Sequence, residues 1–169
     1  MKKYLFILSV LAIAITIFSC KKEDAEEIAP LITTASMTAT VNDTAWSSIT
    51  RITKHYTSSN LFVISGTDTD GKAIVITIKG DTKGTYSSST SIDSLSAQVG
   101  CVWKPNSNEY VSNKGTVELT EVNTTENKIS GTFNFDVVNT TDLSDGFTVA
   151  SGKFTNLKYT EESDTTSSK

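Results

Sequence analysis

The sequence predicts an all-β domain, and three observations carry that prediction. Beyond Ser36 the periodic segments are dominated by Thr, Val, Ile and Phe, apolar and polar residues alternate within them, and polar or glycine-containing turns recur at short intervals. Nothing after Ser36 has the spacing of an amphipathic helix. Strand-like stretches fall at residues 36–42, 45–52, 60–69, 72–79, 84–87, 97–104, 110–121, 128–138 and 146–159. Eight or nine strands joined locally imply an antiparallel meander, folded as a β-sandwich or flattened barrel, with a closed lipocalin-like barrel as the alternative.

The sharpest local signal is LFVISGTDTDGKAIVITIK, where Asp70-Gly71 separates two strand-like runs and calls for a two-residue type I′ hairpin. That loop pairs Thr69 with Lys72, Ser65 with Ile76 and Val63 with Ile78. Leu61, Val63, Ile74, Ile76 and Ile78 then share the core face, and Phe62, Ile64 and Val75 lie opposite. A slip of one residue would invert the assignment. In KISGTFNFDVV, Ile129, Phe133, Phe135 and Val137 point one way and Ser130, Thr132, Asn134 and Asp136 the other. In GFTVASGKFTNLKY, Phe147 and Val149 share a face while Phe154 has the other parity, so a bulge near Ser151-Gly152 is expected to return Phe154 to the core.

Ahead of the domain, Lys2 and Lys3 precede an apolar run from Tyr4 to Phe18 that is broken only by Ser9 and Thr16. Its 15 residues fall short of the ~20 needed to cross a bilayer as a helix, which fits the apolar region of a signal peptide. The run ends in Ile17-Phe18-Ser19-Cys20, which resembles the lipobox of a bacterial lipoprotein. The resemblance implies cleavage after Ser19, leaving residues 1–19 as signal peptide, and acylation of Cys20, with palmitate-type chains as a membrane anchor. Two or more chains, each gaining ~0.8 kcal/mol per buried CH₂, hold durably where one does not. The alternative is an ordinary secretory signal in which Cys20 is incidental.

Residues 20–35 follow as the acylated cysteine and a flexible charged tether, 36–160 as the all-β domain and 161–169 as a disordered tail. Lys21 to Glu27 resembles the acid-rich export tag of Bacteroidota surface lipoproteins, which implies an outer-membrane protein exposed at the cell surface. A merely solvated tether is the other reading. Loss of residues 1–19 removes Lys2 and Lys3 from 15 basic residues, leaving 13 against 19 acidic ones, a formal charge of −6. Such a surface repels phosphate backbones, so no nucleic-acid partner is expected. With Cys20 committed to lipid, Cys101 has no partner for an intramolecular disulfide.

MTATVNDTAW, residues 37–46, resembles the opening of an uncharacterised Bacteroidota lipoprotein domain family that begins V-N-G-x-x-W. Asp43 stands where the motif has glycine. Gly84-Thr85-Tyr86, Gly115-Thr116-Val117, the run from Ile129 to Phe135 and Gly152-Lys153-Phe154 extend the resemblance to about Tyr159. It implies a class and a location and no activity.

Chemistry-bearing residues are few. Cys101 as a nucleophile would need His55, the single histidine, as its base; its apolar neighbours equally suit an inert buried thiol. One histidine and one free cysteine give no zinc spacing. GTDTDG lacks the carboxylates of a calcium loop at Gly66 and Thr77, while Asp142 and Asp145 in NTTDLSDG form an acidic loop that an ordinary turn also explains. Glu118 and Asp136 are strand carboxylates with outward parity. No phosphate loop, serine elbow or dinucleotide motif occurs, so no catalytic residue, metal or cofactor is assigned. Trp46, Tyr56, Tyr86, Trp103 and Tyr110 are the candidate binding aromatics, placed at strand ends or turns where they would stack on a glycan or anchor a protein partner. Capping the ends of the β-core is the competing role for Trp46 and Trp103. Asp43-Thr44-Ala45, Asp93-Ser94-Leu95 and Asp164-Thr165-Thr166 resemble acceptor triplets of Bacteroidota O-glycosylation.

The resulting expectation is a membrane-anchored lipoprotein whose non-catalytic β domain is a binding or structural module of the cell envelope. Its alternatives are a lipocalin-like carrier of a small ligand, with an open interior, and a hydrolase using Cys101 and His55 or two converging carboxylates.

Overall fold

The computed structural model describes residues 34–88, 98–105 and 108–163. Cys20, the expected signal peptide, nearly all of the expected tether, the triplets at Asp93 and Asp164, and residues 164–169 of the expected tail lie outside the described residues. The strands are β1 (Ser36–Val41), β2 (Thr44–Ser47), β3 (Thr50–Tyr56), β4 (Leu61–Thr67), β5 (Ala73–Lys79), β6 (Gly84–Ser88), β7 (Val99–Lys104), β8 (Tyr110–Asn123), β9 (Lys128–Asn139), β10 (Gly146–Lys158) and β11 (Thr160–Glu162). They form one curled sheet in the order β11-β3-β4-β5-β7-β8-β9-β10-β1-β2, with β6 attached to β8.

The domain is all-β, and the flattened-barrel form of the expectation fits it. Among the described residues the ladder does not close: it ends at β2 and β11, while the chain itself turns the corner from β2 to β3. At that corner the Ser48 amide donates to the Met37 carbonyl at 3.0 Å and the Ile49 amide to that of Thr67 at 2.8 Å. The corner divides the single strand expected at 45–52. The polar run that follows, up to Tyr56, nevertheless pairs with β4 along its whole length. The last short strand, β11, falls where a tail was expected. It runs parallel to β3, and the Glu162 carboxylate accepts from the Lys54 ammonium at 3.2 Å.

One register differs from the sequence expectation. Phe62 pairs with Ile78, Ile64 with Ile76 and Gly66 with Ile74, one residue away from the type I′ alignment. The loop has three residues instead of two, because Asp68 organises it. Its amide donates to the Lys72 carbonyl at 3.0 Å, its own carbonyl accepts from the Gly71 amide at 3.2 Å, and its Oδ1 accepts from the amides of Asp70 and Lys72, each at 2.9 Å. Gly71 is the one loop residue with positive φ, 80°, which is the signature of a type I turn followed by a bulge. Phe62 and Ile64 therefore enter the core and Leu61 and Val63 are half-buried outside, while Ile74, Ile76 and Ile78 stay on the core face.

Strand β9 has the expected parity, with Ile129, Phe133, Phe135 and Val137 buried. The bulge in β10 is also present: the β9 register shifts between Val149 and Gly152, Ser151 takes φ 51°, and its amide donates to Asn134 Oδ1 at 2.9 Å. Phe154 consequently lies in the core, with its ring stacked 6.3 Å from Phe133. Gly152 is required beneath that pair, since a Cβ there would stand 2.3 Å from the Phe133 ring. A second shift, between Phe154 and Leu157, returns Leu157 to the interior.

Candidate functional site

The strand connections gather at two ends. Among the described residues, the turns at Asn42-Asp43, 68–72 and 140–145, with Pro105 and residues 108–109, surround one end, here termed the mouth; those at 57–60, 80–83 and 124–127 surround the other, the base. Strand β1 enters the sheet opposite Thr155, near the base end of β10, and runs toward the mouth. The first described strand thus begins on the side away from the mouth.

The VND segment explains how the mouth is built. Asn42 and Asp43 have φ values of 46° and 60°, both left-handed, and connect Val41 directly to its partner Thr44. This is the type I′ geometry expected at Asp70-Gly71, realised at another hairpin. The turn folds β2 back so that Trp46 pairs with Ala39 and buries its ring, 6% exposed, at the mouth. The indole Nε1 donates to the Lys72 carbonyl at 3.4 Å, and the ring meets Trp103 edge to face at 6.3 Å. Gly66 makes room for it, because a Cβ there would lie 2.9 Å from Trp46 Cη2.

Three of the five predicted aromatics, Trp46, Trp103 and Tyr110, come together here, and Phe147 joins them with its ring 4.7 Å from that of Tyr110. They line a cleft of about 290 Å³ whose rim includes Asn42, Asp68, Lys72 and Pro105. The two tryptophans also close the end of the core, so the capping role and the cleft coincide. The Tyr110 hydroxyl donates to Asp145 Oδ2 at 2.8 Å, and Asn139 Nδ2 donates to the same oxygen at 3.1 Å. The bond to Asp145 holds the Tyr110 phenol above its ordinary pKa. In the same turn the hydroxyl and amide of Ser144 donate to Asp142 Oδ1 and hold that carboxyl below the usual range.

Tyr56 and Tyr86 are placed elsewhere. Tyr56 is half-buried at the base end of β3, and the Tyr86 hydroxyl donates to the Thr82 carbonyl at 2.7 Å, with its ring covering Gly80. Thr44, in the one glycosylation-like triplet within the described residues, is exposed on β2.

The catalytic pairings considered from sequence are not assembled. His55 and Cys101 sit on β3 and β7, with β4 and β5 between them. His55 instead stacks on Phe62 at 4.3 Å and meets Tyr159 at 5.5 Å, and both its ring nitrogens are buried without a hydrogen-bond partner. Burial pushes the Cys101 thiol up to about 12, which removes its thiolate at neutral pH. Glu118 pairs across the ladder with Thr132, while Asp136 forms an ion pair with Lys114 at 2.9 Å, so the two carboxylates do not converge. In the acidic loop, Asp142 and Asp145 are engaged by Ser144, Tyr110 and Asn139. Sequence reasoning missed Phe147 and the turn carboxylates as companions of the aromatics. The alternation in GFTV marked Phe147 as a core residue, and nothing local shows that residues so distant in sequence meet at one cleft.

A single curled β-sheet with an aromatic cleft at one end places the chain among all-β domains of the flattened-barrel kind. It belongs to a family described as a domain of unknown function, DUF6252, whose model matches residues 33–158. No curated protein and no solved structure matches the chain significantly.

Proposed function

We propose that this protein is an outer-membrane lipoprotein, acylated at Cys20, whose domain is a non-catalytic binding module that meets an envelope partner at its mouth. The observation that carries the reading is the convergence of Trp46, Trp103, Tyr110 and Phe147 at the end opposite the one where the chain enters. An anchor at Cys20 then turns the aromatic end away from the membrane. The buried rings give that cleft a rigid apolar wall, and a preformed cleft with fixed walls is a setting for recognition. The packing of Phe133 between Phe135 and Phe154, each ring centroid at 6.3 Å, favours a module over a hollow carrier. The separation of His55 from Cys101 and of Glu118 from Asp136 favours binding over hydrolysis.

The acid-rich run after Cys20, read as an export tag of a Bacteroidota lipoprotein, supports placement on the cell surface. Metabolic labelling with palmitate tests the anchor: label is expected on the wild-type chain and absent from Cys20→Ser. A wild-type chain without label removes the lipoprotein reading. Protease treatment of intact cells is expected to remove the domain, and survival of the domain would place it inside the envelope.

A further inference from the structure

The inward-facing row of β3 is polar. Arg51, Thr53 and His55 stand directly opposite Gly66, Ile64 and Phe62, all buried, so the pairing turns these three side chains to the side where the other strands carry apolar ones. Part of the row faces a side cleft of about 380 Å³ between β3 and β10, two strands that do not pair with each other. Its walls include Ala35 ahead of β1, Ile49 at the corner, Arg51 and Thr53 of β3, and Leu157 and Lys158 of β10. It shares no residue with the aromatic cleft at the mouth.

The polar residues of this cleft have donors to spare. Thr53 is only 4% exposed, yet its hydroxyl makes no hydrogen bond among the described residues. Arg51 gives Nη1 to the Ser48 carbonyl at 2.7 Å and to Ser48 Oγ at 3.2 Å, which leaves its Nε–Nη2 edge without a partner among the described residues. Lys158 likewise forms no ion pair among them, and no described carboxylate lines the cleft. In a chain with 19 acidic residues against 15 basic ones, a cleft with two cations and no acid is a local inversion of charge. His55, next in the row, stacks on Phe62 and stays outside the cleft.

Size and donor geometry narrow the occupant. The volume falls within the ~300–1,000 Å³ typical of small-ligand sites. The free guanidinium edge presents two parallel donors, which match two oxygens of a carboxylate or a phosphate. A hydroxyl from the same strand and an ammonium from another add donors beyond that pair, and a phosphate has the further oxygens to receive them. Independently of the reading of the mouth, we infer that this side cleft binds a phosphate group, carried by a soluble ester or a lipid headgroup, on Arg51, Thr53 and Lys158.

The full chain in a maltoside detergent, labelled with nitrogen-15, is titrated with inorganic phosphate and followed by NMR. Saturable shifts are expected at the Arg51 Nε–H and the Thr53 amide, with acetate binding at least about tenfold more weakly. Loss of one hydrogen bond to a charged group weakens binding about tenfold or more, so Thr53→Val and Lys158→Gln should each do so. Valine suits a strand as well as threonine does, and Lys158 is exposed, so both variants keep the fold. Lys104→Gln, at the mouth, should bind within about twofold of wild type. Glycerol 3-phosphate and phosphatidic acid in the same micelles then separate the sources: tighter binding of the soluble ester assigns a soluble ligand, tighter binding of the lipid a headgroup, and either supports the site. Absence of saturable shifts, shifts centred away from β3, equal binding of acetate, or unchanged affinity in either cleft variant overturns it.

Discussion

The two ends of this domain are closed by different chemistry. At the base, connections are tied to one another through the backbone: the Gly80 amide donates to the Asn60 carbonyl at 2.7 Å and the Tyr159 amide to that of Asn127 at 2.8 Å. Phe62, His55 and Tyr159 pack beneath them, and acids balance lysines. At the mouth, two tryptophans meet edge to face, a cleft remains beside them, and carboxylates predominate. One end is finished by backbone hydrogen bonds and balanced charge, and the other by buried aromatic rings with a cleft beside them.

Truncation at the base should produce the largest effect, confined to stability. Phe62→Ala removes a fully buried ring together with its contacts to His55 and Tyr159, and is expected to cost about 3–5 kcal/mol in chemical denaturation. The tryptophan emission of the folded fraction should persist; its change would break the separation of the two ends. Next comes Gly66→Ala, whose new Cβ would stand 2.8 Å from Met37 Sδ and 2.9 Å from Trp46 Cη2. About 1–3 kcal/mol of destabilisation is expected from overpacking, accompanied by altered tryptophan emission. Unchanged emission would mean that Trp46 is not held as described.

Smaller effects sharpen the mouth itself. Asp43→Gly relieves a non-glycine residue at φ 60° and should raise stability by about 1 kcal/mol, visible as a higher denaturation midpoint. The smallest effect concerns Asp142, whose carboxyl is lowered by the donors of Ser144. A depressed folded pKa contributes stability above the unfolded value and loses it as pH falls through the folded one. Ser144→Ala should therefore destabilise slightly at neutral pH, with the difference from wild type vanishing in strong acid. NMR titration of the Asp142 carboxyl should show its pKa moving up toward the ordinary range.

What the sequence reveals here depends on whether the determinant is local. Alternation in KISGTFNFDVV fixes which side of β9 is buried, and the parity break at Phe154 is sufficient to locate a bulge. The hairpin at Asp70-Gly71 shows the limit. The dipeptide signals a tight turn, but Asp68, two residues upstream, captures two amides and adds a residue to the loop. Every side chain of β4 changes face as a result. The parallel pairing of β11 is equally invisible, because Thr160–Glu162 has no apolar content and is held by β3 from across the sheet. For the site, the aromatics at strand ends were legible as a set, but their partition was not. Strand order alone sends Trp46, Trp103 and Tyr110 to the mouth and Tyr56 and Tyr86 away from it.

The central proposal is that a chain anchored through Cys20 would present its aromatic end away from the membrane. With the acylated chain in lipid vesicles, tryptophan emission can be challenged from either side, because Trp46 and Trp103 both lie at the mouth. Acrylamide in the aqueous phase is expected to reduce the emission, while bromine atoms on the lipid acyl chains leave it unchanged. Quenching by the brominated lipids would put the mouth against the bilayer and contradict the account.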